Sequence, residues 1–130
     1  MRPAVRILLV AAAVAAALTC GNDGVAPVAG ELKVNLTTPN TGDGAILISV
    51  AGPAALTSVT APAGLRVFAG PLTGTTTKFA ITGPLTSGVV LMLGVQDVNK
   101  VGSYTAGMLQ VAATSYSLRS ISGYSLTVSK

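Results

Sequence analysis

Histidine and tryptophan are missing from this 130-residue chain, cysteine occurs once, and charged residues make up only 9% of it. Each absence removes a class of chemistry. Without histidine there is no Ser-His-Asp or Cys-His nucleophile, no histidine-bearing zinc site, and no side chain that titrates near neutrality at its ordinary pKa. A lone cysteine makes no intrachain disulfide, no Cys-x-x-Cys redox pair and no cysteine-only metal cluster. The phosphate-loop pattern G-x-x-x-x-G-K-[S/T] is absent as well, so stretches such as Gly42-Asp43-Gly44 read as turns. The expectation is a protein that is not an enzyme and holds neither metal nor cofactor.

What is present divides sharply in two. Arg2 and Arg6 lead into an uncharged run from Ile7 to Thr19, which ends at Cys20. A positive start followed by an apolar core of about 7 to 15 residues is the layout of a secretory signal. The run falls short of the roughly 18 apolar residues that a bilayer-spanning helix needs. Residues 1–19 are therefore expected to form a helical signal peptide, and a mature transmembrane anchor is the lesser alternative.

Ala17-Leu18-Thr19-Cys20-Gly21 resembles the lipobox of bacterial lipoproteins. That resemblance implies a diacylglyceryl group on the Cys20 thiol, cleavage on its N-terminal side, and a membrane partner reached through lipid. Gly21 directly after the cysteine is similar to lipoproteins that are passed to the outer membrane, so the implied location is the extracytoplasmic face of a bacterial envelope. Secretion without lipid is the alternative. The only thiol sits where apolar sequence gives way to polar, which is where an anchor belongs. Each buried methylene adds roughly 0.8 kcal/mol, and two or three chains anchor stably where one does not.

Beyond the signal, Lys33, Arg66, Lys78, Lys100, Arg119 and Lys130 stand against Asp23, Glu31, Asp43 and Asp97, leaving a net charge of +2. The cations are scattered singly and no aromatic residues interleave them. Nucleic acid, which requires clustered Lys and Arg, is not an expected partner. Residues 20–30 read as the lipidated cysteine and a flexible tether, since GNDGVAPVAG holds three glycines and a proline. Ten residues of this kind reach roughly 17 Å.

From Glu31 the pattern is β throughout. Leu32, Val34 and Leu36 alternate with Lys33, Asn35 and Thr37, a period of two that places one face in a core. Ala45–Val50 is apolar on both faces and suits a central strand, and Val89–Val95 reads as another, with Gly94 marking a bulge. Thr75–Thr82 alternates and ends at Gly83-Pro84. Short candidates at 56–60 and 65–68, then 104–111, 116–121 and 124–129, bring the total to eight or nine strands. Turn signals every 8 to 14 residues favour an all-β antiparallel sandwich over residues 31–130, Ig-like or jelly-roll in kind.

Four stretches, Leu32–Leu36, Gly42–Ile48, Leu85–Val95 and Gly123–Val128, resemble in this order the strands of bacterial cohesin-type and Ig-like sandwich modules. The resemblance implies an extracytoplasmic module that binds a partner domain through a sheet face; no binding residue carries over.

Few side chains suggest chemistry of their own. Asp23, Glu31, Asp43 and Asp97 read as solvated turn and strand-end residues, although Asp43 with Asp97 and Asn99 would supply oxygens to a calcium ion. Thr73-Gly74-Thr75-Thr76-Thr77 reads as a solvent-facing strand rich in β-formers. With five aromatic rings, Phe68, Phe79, Tyr104, Tyr116 and Tyr124, all wanted by the core, carbohydrate is not an expected ligand. Tyr124 should bury its ring and give its hydroxyl to a backbone group. The function expected is a membrane-tethered, non-catalytic binding or structural module that meets a protein partner through strand edges or loops. The alternatives are an accessory or ligand-binding subunit of an envelope enzyme system, and a self-assembling surface fibre.

Overall fold

Alternation along the first strand organises the molecule. Leu32, Val34 and Leu36 are buried at 0%, 0% and 2% exposure, while Lys33 and Thr37 face water. Each such burial contributes about 1.5–3 kcal/mol. The computed structural model describes residues 25–130, so the expected helical signal segment and Cys20 lie outside the described residues.

The described chain forms nine strands: β1 Gly30–Thr37, β2 Asp43–Ala51, β3 Ser58–Thr60, β4 Arg66–Ala69, β5 Thr76–Leu85, β6 Gly88–Val95, β7 Thr105–Ala113, β8 Leu118–Arg119 and β9 Ser125–Ser129. They make two antiparallel sheets, ordered β3-β6-β1-β9 and β4-β5-β2-β7-β8. The inner faces share one core. From the first sheet it takes Leu32, Val34, Leu36, Leu91 and Leu93; from the second come Ile46, Ile48, Val50, Phe79, Ile81 and Val111. This is the two-layer β-sandwich that the alternation and turn spacing predict.

Ala45–Val50 does occupy the centre of its sheet, between β5 and β7. The expected break at Gly83-Pro84 does not occur. β5 continues to Leu85 because Gly83 and Pro84 together oppose the single residue Gly44, a bulge that needs no amide from proline. Gly83 has φ +128°, and a Cβ there would meet the Gly64 carbonyl. No bulge forms at Gly94 either. It pairs regularly with Glu31 and Ser58, and its missing side chain lets β3 approach, since a Cβ would strike the Ser58 hydroxyl. The irregularity in β6 falls instead at Val90, opposite the step from Val34 to Asn35.

Between β6 and β7 a 3₁₀ helix, Val98–Ser103, appears that the hydrophobic pattern does not announce. Asp97 caps it by accepting the Asn99 amide at 3.0 Å. The same carboxylate accepts the Val28 amide at 3.2 Å, and the Val28 carbonyl accepts the Val98 amide at 2.8 Å. The last residues ahead of β1 are thus pinned to the sandwich, and β1 itself begins at Gly30.

The strand directions define two ends. Gly30, Ala51, Thr76, Val95 and Thr105 mark the end at which the chain enters. Thr37, Asp43, Leu85, Gly88 and Ala113 mark the other. With about 3.3 Å of rise per residue, the eight residues of β1 separate them by roughly 26 Å.

Candidate functional site

At the end far from the entry lies the single buried charge among the described residues. Asp43 opens β2 and is 0% exposed. Its Oδ2 accepts the Thr38 hydroxyl at 2.6 Å, and its Oδ1 accepts both Arg119 NH1 at 2.6 Å and the Tyr124 hydroxyl at 2.8 Å. Arg119 NH1 also donates to the Thr41 carbonyl at 2.8 Å, and Asn40 Nδ2 donates to the Tyr124 hydroxyl at 2.9 Å. One carboxylate therefore ties together the β1–β2 turn, β8 and the approach to β9. Burial pushes its pKa up, but the hydrogen bonds from Thr38, Tyr124 and Arg119 and the charge of Arg119 outweigh that and hold it below the ordinary value of 3.8. Both carboxylate oxygens have partners and no buried side-chain polar atom among the described residues lacks one, so the cluster is a satisfied structural network.

Two expectations are corrected here. Asp43 is not a solvated turn residue, and Tyr124 gives its hydroxyl to a carboxylate instead of a backbone group. The partners lie 76 and 81 residues away along the chain, a pairing that no local spacing announces.

Asp43 and Asp97 sit at opposite ends of the sandwich, so they do not converge with Asn99 on a cation. No cluster of three potential metal ligands occurs among the described residues. Thr77 is 3% exposed and faces the core with Phe79 and Ile81, so the threonine run is not wholly solvent-facing. Burial raises the Tyr104 phenol above its ordinary value, with a contribution from the Asp97 charge. Both this shift and that of Asp43 lead away from neutrality, and each group keeps its ordinary charge state at pH 7.

The second candidate is the outer face of the five-stranded sheet. Register sets Phe68, Ala80, Leu47 and Gln110 in one row across β4, β5, β2 and β7. Arg66, Thr82, Ala45, Ala112 and Leu118 form the next row, which extends to β8. A shallow depression of about 320 Å³ lies between the second row and the far end, lined by Ala45, Thr82, Ala112 and Tyr116, and another of about 220 Å³ lies over the two rows, lined by Leu47, Ala80, Ala112 and Leu118. Phe68 is 60% exposed, Leu118 72% and Tyr116 93%. Two of the five rings therefore stand outside the core that was expected to claim them. Tyr116 also holds φ +68°, a left-handed conformation that costs a bulky residue about 1–2 kcal/mol.

Charge on this face has one sign. Arg66 and Lys78 border it, while Asp43 is buried, Glu31 lies on the other sheet and Asp97 is at the entry end. The chain matches no family model, no curated protein and no solved structure.

Proposed function

We propose that the chain is an extracytoplasmic bacterial lipoprotein, anchored through lipid on Cys20, whose sandwich is a non-catalytic binding module. The observation that carries the binding reading is the apolar outer face of β2 and its neighbours. In a two-layer sandwich even a central strand turns one face to water, so core formation accounts for Ile46, Ile48 and Val50 but not for Ala45 and Leu47. With Ala80, Ala112, Leu118, Tyr116 and Phe68, they make an apolar strip of the kind that marks interaction sites. Bordering cations suit a protein partner with an apolar patch flanked by acidic side chains.

The finer architecture we assign is jelly-roll-like. Only the β4–β5 and β7–β8 connections stay within one sheet, and every other connection between the described strands crosses to the opposite layer. The entry end carries the tether, so the far end with Tyr116 and Leu118 points away from the membrane in this reading.

Cross-linking and pull-down from the native envelope test both parts. Cys20→Ser should move the protein from the membrane to the soluble fraction while retaining its partner. Leu118→Asp, at an exposed position, should leave the protein on the membrane and lose the partner roughly ten-fold or more. Membrane retention of Cys20→Ser sinks the anchor, and undiminished capture by Leu118→Asp sinks the recognition face.

A further inference from the structure

The outer edge of β7 has no hydrogen-bonded strand beside it for most of its length, although β9, the edge strand of the facing sheet, packs close to it. β8 pairs with it only at Val111 and Ala112, and among the described residues no strand pairs on that side with residues 105–110. Natural sheets blunt their edges with lysine, proline or very short strands. β3, β4 and β8 follow that rule at three, four and two residues, and β4 carries Arg66. The β7 stretch Thr-Ala-Gly-Met-Leu-Gln has neither charge nor proline, and Thr105, Gly107, Leu109 and Gln110 are exposed.

We propose that this edge pairs with the same edge of a second copy of the chain, antiparallel about a two-fold axis through Gly107. In such an isologous contact every residue meets its own kind of surface, so a charged edge repels itself. Residues 105–110 carry no charge, and a copy fits where an oppositely charged partner gains nothing.

Side-chain parity selects the register. Ala106 and Met108 oppose Val50 and Ile48 of β2 and so face inward, whereas Thr105 and Gly107 oppose Ala51 and Ser49 on the outer face. Setting Gly107 against Gly107 of the copy brings Ala106 opposite the copy's Met108, inner face to inner face, in both directions. The axis is uncrowded from its own molecule, because a Cβ at Gly107 would meet only the Ser49 hydroxyl at 3.7 Å. Leu109 is the extra residue between Met108 and Gln110 where the β2–β7 register shifts, and β8 begins beyond it. An incoming strand centred on Gly107 therefore ends before it reaches Leu118.

The product is one sheet continuous across two chains, with two outer faces side by side. That geometry deepens the binding reading and rests on its lipid anchor for local concentration, and it would give each dimer two recognition faces and the avidity that follows. The contact is small, and tethering both copies to one membrane compensates by holding them at high local concentration.

The test uses the full chain with Cys20→Ser, so that an introduced cysteine is its only thiol. Directly opposed residues have Cβ atoms roughly 4.5–5.5 Å apart, within a small adjustment of disulfide geometry. Gly107→Cys should form disulfide-linked dimers about ten-fold faster than Phe68→Cys on β4, and adding Leu109→Lys should bring the rate down to that of Phe68→Cys. Equal rates for the two cysteine variants overturn the proposal. So does a chain with its native β7 that sediments as a monomer in detergent up to roughly 1 mM, the effective concentration that a short flexible tether supplies. Leu118→Asp lies outside the pairing and should leave the disulfide rate unchanged, which separates failure of this edge from failure of the recognition face.

Discussion

Asp43 decides more of the far end than any other single residue. A carboxylate taken fully out of water costs several kcal/mol, and here three donated hydrogen bonds, from Thr38, Tyr124 and the charged Arg119, offset that cost. Removing it strands those donors. Asp43→Ala should lower stability by on the order of 3 kcal/mol, read as a shift in the urea midpoint. Because the folded-state pKa is depressed, the contribution is complete above the unfolded carboxylate's ordinary value and is lost as pH falls below it. The wild type should therefore weaken progressively below about pH 4, and Asp43→Ala should show a shallower decline over the same range. Parallel acid profiles would remove Asp43 from the explanation. The sequence shows an aspartate between two glycines and nothing of its partners, since Arg119 and Tyr124 reach it only after β8 and β9 have docked.

Among the elements, β3 depends on an absence. Its three residues reach β6 only because Gly94 has no side chain where the Ser58 hydroxyl and the Thr57 side chain lie. The Thr57 amide donates to the Gly94 carbonyl at 2.8 Å and reports directly on that contact. Gly94→Ala should detach β3 locally, raising amide exchange at Thr57 by an order of magnitude or more while β1 and β6 stay protected. Unchanged exchange at Thr57 would mean that the strand shifts to make room. Alternation and short apolar runs between turn residues mark eight or nine strands, because both signals survive in short segments. Their ends are less legible: Gly83-Pro84 looks like a stop, yet a bulge opposite Gly44 carries β5 on to Leu85. The 3₁₀ helix after β6 leaves no hydrophobic period, because its cap is a local Asx contact from Asp97.

For the whole molecule, connectivity sets the folding kinetics. Nearly every connection crosses between layers, and β1 pairs with β6 and β9 from distant parts of the chain. Loop closure must precede the contacts that reward it, so refolding of the chain should occupy milliseconds to seconds. Microsecond refolding by stopped or continuous flow would contradict that reading of the topology. The sequence by itself determined the all-β class, the approximate positions of the strands, and the inward residues of β1, because each follows from local alternation and turn chemistry. Tertiary structure alone decided that Asp43 is buried in a closed network, that Ala45 and Leu47 lie on an outer face, and that β7 is left with an open edge. Those properties depend on which strands become neighbours and on which side of a sheet stays in water, and local pattern carries neither.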